Sequence, residues 1–273
     1  MINLNGHLLP KSTPIFKAGN RAFLYGDQLF ETILFDKGTL KFWEDHYFRM
    51  MGGSCLLRME IPIHLNMDFM EEEVMKTLDS AGLSSKKARV RLSLFRTDGG
   101  LYTPKDRELE YLIEVEELEV LESVDGLVID VFHDHLKPSQ PLSNTKGVNS
   151  IVSVLSAIFA QENQLDEAII LNSESFMCET TASNIFIVKD NILYTPSLES
   201  GCVDGIVRKQ IFENSATWGV TVIEKEMKTF ELIKADEVFL TNSIKGIQWV
   251  SSYKKKTYSN EFTINLQQKF LEI

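Results

Sequence analysis

The run KKARVRLSLFR, residues 86–96, constrains the fold more than any other stretch. Its apolar residues recur every second position, the repeat of a strand with one face buried. ELEYLIEVEEL, residues 108–118, repeats the pattern, and the turn signal TDGG at 97–100 lies between them. Two such strands joined this way read as an antiparallel hairpin. Helical periodicity surrounds it. EDHYFRMMGGSCLLRM (44–59) reads as a helix, and LNMDFMEEEVMKTLDSAG (65–82) as an amphipathic one that Asn66 caps and Gly82 ends. AFLYGDQLFETILF (22–35) reads as a strand.

The acidic stretch EVEELEVLESVDG (114–126) leads into a new strand, GLVIDVF, and marks a domain boundary. The expected domains are 1–118 and 119–273. Beyond the boundary the pattern predicts a helix over 148–163, then strands DEAIILN, SNIFIVKD and NILYTPS. A helix over 205–218 follows and stops at Gly219. Strand VTVIEKE, a short helix over 229–234, strand DEVFLTN and a C-terminal helical stretch complete the chain. Both halves are therefore α+β.

A net charge of -11 over 273 residues disfavours non-specific binding to nucleic acid or anionic lipid. No apolar run is long enough to span a bilayer. Cys55, Cys178 and Cys202 lack paired spacing, which suits a cytoplasmic protein. His133 and His135 share a strand face but have no evident third ligand, so no metal site is expected.

Four features of the second half bear on one chemistry. Lys146 stands in a loop before a helix; a lysine whose ammonium is destabilised becomes an amine nucleophile. Glu179, in CETTASNIF, is an acid among small and apolar neighbours, and such an acid needs a partner. Gly205 opens a helix whose first N–H groups, those of Ile206 and Val207, suit a phosphate. Asp204 would compete there and is expected to turn away. Ser243, after an apolar strand, offers a hydroxyl.

The order Lys146, then E-x-x-x-S-N-apolar-F from Glu179, then G-I-x-R, then T-N-S resembles the class IV (fold type IV) pyridoxal-phosphate enzymes. That family holds branched-chain and D-amino-acid aminotransferases and aminodeoxychorismate lyases. YGDQLFETILFDKGTLKFWEDHYFRM is similar to the family's N-terminal segment, with an H-x-x-R pair at His46 and Arg49. The resemblance implies a small N-terminal α/β sandwich, a C-terminal pseudo-barrel carrying the lysine, and a cofactor cleft between them. It also implies a homodimer.

It gives Lys146 the role of Schiff-base lysine and proton carrier, and Glu179 that of partner to the pyridine nitrogen. Arg49, Ile206, Val207 and Ser243 would hold the phosphate, and Ser183 and Asn184 would line the cofactor. Tyr25, Phe30 and Tyr102 match substrate-pocket positions. Departures stand beside these. Gln28 replaces a glycine common in relatives, and Ile151 stands where branched-chain enzymes carry a hydroxyl. Lyases tend to carry an arginine where Leu101 sits, so Arg96 or Arg91 must serve as the substrate cation. The implied activity is amino transfer between an amino acid and a 2-oxo acid. The alternatives are aminodeoxychorismate lyase, releasing pyruvate and 4-aminobenzoate, and a cofactor-free scaffold.

Overall fold

The computed structural model describes residues 1–119 and 125–273. The chain divides into two compact units, Met1–Leu121 with Thr145–Asn149, and Glu122–Asn144 with Ser150–Ile273. Residues 120–124 of the expected acidic boundary lie outside the described residues.

The first unit is built on an antiparallel sheet of β1 (Ile2–Leu4), β2 (His7–Leu9), β3 (Gln28–Asp36), β4 (Thr39–Leu40), β5 (Ala88–Arg96) and β6 (Leu109–Glu117), ordered β2-β1-β6-β5-β3-β4. The hairpin pattern reappears as the β5–β6 pair, Ala88 opposite Glu117 through Arg96 opposite Leu109. Val90, Leu92 and Leu94 point to one face and meet α2 (Trp43–Leu56) and α3 (Met67–Ser80) in a single core with Ile33, Met70, Val74 and Leu78. Each such side chain contributes about 1.5–3 kcal/mol on burial. Asn66 caps α3 by accepting from the Phe69 N–H at 2.9 Å.

Residues 21–25 form a helical turn, α1 (Arg21–Tyr25), rather than the start of a strand. Asn20 accepts from the Phe23 N–H at 3.1 Å, and Gly26, at φ +64°, ends the turn in the left-handed region.

The second unit is a nine-stranded curled sheet. Its strands are β7 (Leu127–Lys137), β8 (Glu167–Asn172), β9 (Met177–Thr180), β10 (Asn184–Lys189), β11 (Ile192–Pro196), β12 (Thr221–Lys225), β13 (Glu237–Asn242), β14 (Gly246–Tyr253) and β15 (Lys256–Thr257). The order is β12-β11-β10-β13-β14-β7-β8-β9, with β15 on β14. The helices are α4 (Ile151–Glu162), α5 (Ile206–Trp218), α6 (Phe230–Lys234) and α7 (Glu261–Leu271). The C-terminal stretch, expected to be helical, is a strand pair followed by a helix. Phe186 and Phe239 stack at 4.9 Å, both fully buried, where β10 pairs with β13.

Lys146 was expected in the second domain. The segment 145–149 instead groups with the first unit, because its backbone pairs antiparallel alongside the start of β3. The Phe30 N–H donates to the Lys146 carbonyl at 3.0 Å and the Val148 N–H to the Gln28 carbonyl at 3.3 Å. Asn149 packs on Gly26, where a Cβ would lie 2.1 Å from Asn149 Oδ1.

Candidate active site

In the first unit the chemistry gathers around β3. Antiparallel pairing sets Thr32 opposite Arg91 and Phe30 opposite Ser93, so these four share the face away from the core. The Phe30 ring lies 4.9 Å from Lys146 Nζ and 3.9 Å from Arg91 Cζ. A lysine amine and a guanidinium thus both lie against one aromatic ring. Burial lowers the Arg91 pKa, Glu114 opposes that, and Arg89 adds to it.

On the other face Glu31 is fully buried beneath α2. Arg49 Nε donates to Glu31 Oε1 at 2.8 Å, Arg49 also pairs with Oε2, and His46 Nδ1 lies 2.6 Å from Oε2. Burial pushes the Glu31 carboxyl up, but Arg49 and His46 outweigh it and hold it at about 2. His46 is pushed below its ordinary value by burial first, against the pull of Glu31, with Arg49 and Lys146 adding to the depression. The H-x-x-R spacing therefore places two α2 side chains on one buried acid. Glu31 was not singled out in the sequence, although the F-E-T triplet of β3 carried it.

Arg96 is buried on the core side. Its Nε donates to Asp27 Oδ2 at 2.9 Å and its Nη atoms to the Leu57 and Arg58 carbonyls at 2.8 and 3.3 Å. Arg21 Nε donates to the same Asp27 oxygen at 2.9 Å, and its Nη1 to the Gly99 and Leu101 carbonyls at 3.0 and 2.6 Å. That arrangement anchors the loop carrying Tyr102, which is 90% exposed and packs its ring 5.6 Å from Tyr25.

In the second unit Glu179 sits on β9, buried. Its Oε1 accepts from Lys137 Nζ at 2.6 Å and its Oε2 from the Val203 N–H at 2.7 Å. Lys137 was not foreseen. Ser183 Oγ donates to Glu167 at 3.2 Å and accepts from Asn242 Nδ2 at 3.0 Å. Asn184 Nδ2 donates to the Val203 carbonyl at 2.9 Å. Ser243 stands half-buried in the turn after β13, which Asn242 Oδ1 braces by accepting from the N–H groups of Ile244 and Lys245.

Three observations fit this unit to a phosphate-bearing cofactor. Helix α5 begins at Gly205 with no side-chain cap, leaving the Ile206 and Val207 N–H groups for an anion. A Cβ at position 205 would fall 1.9 Å from Asn184 Oδ1, so any side chain here would have to displace Asn184. Thr241 pairs directly with Asn184 and shares its face, and its buried hydroxyl has no partner among the described residues. Asp204 Oδ1 lies 3.9 Å from Arg208 Nη1, one turn along the helix.

His133 and His135 are exposed, and no group of three metal-binding side chains occurs among the described residues. None of the described helices is long and apolar enough to cross a membrane.

The chain is similar to the aminodeoxychorismate lyase of Vibrio harveyi, 30% identical over 259 residues covering 90% of each protein. It is similar to the D-alanine aminotransferase of Bacillus licheniformis, at 26% identity over 93% of this chain and 88% of that one. The crystal structure of a T.th. branched-chain amino acid aminotransferase with pyridoxamine 5'-phosphate superposes with a TM-score of 0.88, at 25% identity over 99% and 92% of the two chains. The family model for amino-transferase class IV matches residues 28–253, most of the chain, and the chain belongs to that pyridoxal-phosphate-dependent family.

Proposed function

We propose that this chain transfers an amino group between an amino acid and a 2-oxo acid, using pyridoxal phosphate held on Lys146. The observation that carries this reading is that Lys146 Nζ and the Arg91 guanidinium both lie against the Phe30 ring. It gives the reacting amine a neighbouring cation for a substrate carboxylate.

When bound, the cofactor supplies an electron sink for the charge left at the substrate α-carbon. The chain's own residues do the rest. Lys146 would take the proton from the α-carbon of the amino acid and, in the second half of the cycle, give one to the α-carbon supplied by the 2-oxo acid. Glu179 would pair with the pyridine nitrogen. The Ile206 and Val207 N–H groups, Ser243, Thr241 and Arg49 would hold the phosphate, with Glu31 and His46 keeping Arg49 in place. Asn184 and Ser183 shape the wall beside Gly205. Phe30, Tyr25 and Tyr102 bound the substrate side chain. Arg91, rather than the internally committed Arg96, binds the carboxylate.

We further infer a cytoplasmic homodimer. The three cysteines are free, and α4 exposes Ile151, Val154 and Ile158 along one stripe, an apolar surface that a second copy would cover.

The second reading, aminodeoxychorismate lyase, is favoured by the similarity to the Vibrio harveyi enzyme. One comparison separates them. The purified protein, incubated with pyridoxal phosphate, should show a visible band that borohydride bleaches and that Lys146→Ala lacks. It should then transfer amino groups to 2-oxoglutarate. Release of pyruvate and 4-aminobenzoate without such transfer would replace the first reading by the second. A protein that stays colourless would leave the scaffold reading.

A further inference from the structure

The acid at the heart of the second unit is held at both oxygens. Lys137 Nζ reaches Glu179 Oε1 at 2.6 Å and the Val203 N–H reaches Oε2 at 2.7 Å. The two donors come from different segments, the last residue of β7 and the loop before α5. Lys137 is itself anchored, donating to the Ser143 carbonyl at 3.2 Å. Ser143 Oγ in turn donates to the Pro138 carbonyl at 2.6 Å, and Asn144 Nδ2 ties the same loop to the Leu198 and Cys202 carbonyls at 2.8 and 2.7 Å. The side chains of the ion pair are only 15% and 8% exposed. A carboxylate gripped this way cannot rotate about its last torsion without breaking a charged, largely dry contact.

We propose that Lys137 is a positioning residue for the reaction: it fixes the plane and orientation of the Glu179 carboxylate so that a remaining lone pair meets the pyridine nitrogen. This rests on the reading of Glu179 given above. The ion pair alone is a weak source of stability, since an apolar pair of similar volume packs as well. Its use is to keep one acid pointing one way.

The test uses the holoenzyme loaded with cofactor labelled with 15N at the ring nitrogen, and reads that nitrogen by NMR. Wild type should resonate at the protonated-pyridine position. Lys137→Met should move the signal toward the unprotonated position, and Lys137→Arg should restore it. Should Lys137→Met fail to fold, Lys137→Gln, which keeps a donor and loses the charge, is expected to shift the same way. A lowered melting temperature with the ring signal unmoved in the neutral variant that folds would overturn the proposal and leave the pair a structural one. A wild type that binds cofactor with an unprotonated ring nitrogen would remove the role given to Glu179, and this inference with it. A wild type that takes up no cofactor would instead overturn the proposed function itself.

Discussion

Asp27 carries two buried guanidinium groups, and Asp27→Asn should expose how much of the first unit depends on it. One carboxylate oxygen accepts from Arg21 Nε and Arg96 Nε at 2.9 Å each; the other accepts from Arg96 Nη2 at 3.3 Å. The arginine side chains are all but inaccessible and that of Asp27 is nearly so. The amide keeps the volume but removes the charge, and it turns an N–H face toward N–H donors. Removing one partner of a buried pair costs about 3–5 kcal/mol. Here two cations lose the same partner, although their carbonyl contacts survive, so a loss of about 4 kcal/mol is expected. Against a typical total of about 5–15 kcal/mol that is a large fraction. Urea unfolding measures it, followed by the fluorescence of Trp43 with Trp218 and Trp249 replaced by Phe. Adding Arg96→Met to Asp27→Asn should recover part of the loss, because one uncompensated cation goes with it. A loss below about 1 kcal/mol, the range of exposed pairs, would refute the reasoning.

Three further outcomes follow from the same geometry. Gly205→Ala places a methyl 1.9 Å from Asn184 Oδ1 and must shift the Asn184 side chain, straining its bond to the Val203 carbonyl; pyridoxal phosphate affinity, read by spectroscopic titration, should fall about tenfold or more while the fold persists. Arg91→Met should raise KM for amino and oxo acids about tenfold or more, with a smaller change in kcat, because the guanidinium binds rather than reacts. The folded-state pKa of His46 lies below 6.5, so its stabilising contribution is full above the unfolded value and is lost as pH falls through 6.5. Between pH 7 and 5 the urea midpoint of wild type should therefore drop more than that of His46→Gln, with Glu31 ionised throughout.

Where the fold was legible, a clean period or a cap made it so. The β5–β6 alternation, the Asn66 cap of α3 and the Gly219 stop of α5 all stand in the structure. Strand β14 was hidden because its register shifts between Val250 and Ser252, so the period-two signal breaks. The same cause hid Lys137. The β7–β8 register shifts between Phe132 and Lys137, and beyond such a shift alternation assigns no face. The continuous apolar run at 22–25 read as strand, while Asn20 and Gly26 fold it into a turn of helix. The placement of Lys146 with the first unit rests on backbone bonds to Gln28 and Phe30, which leave no side-chain signature in the sequence.

Strand parity separates Arg91 from Arg96, the two arginines that the sequence offered as a substrate cation. The two are five positions apart on β5, so they point to opposite faces. Positions 88, 90, 92 and 94 fill the core with α2 and α3, and Arg96 continues that row. A charge there has no water and must be matched inside the protein, which is the work of Asp27 and two carbonyls. The same rule sends Glu31, opposite Leu92, into the core face, where α2 meets it with His46 and Arg49. Arg91, opposite Thr32, is sent the other way, to the face that Phe30 shares and that Lys146 adjoins. Moving β5 by one residue would exchange every one of these assignments, stranding Arg91 in the core and leaving Lys146 without its neighbouring cation. The sheet register that builds the core is thus the same register that separates the buried, internally paired Arg96 from Arg91 on the opposite face.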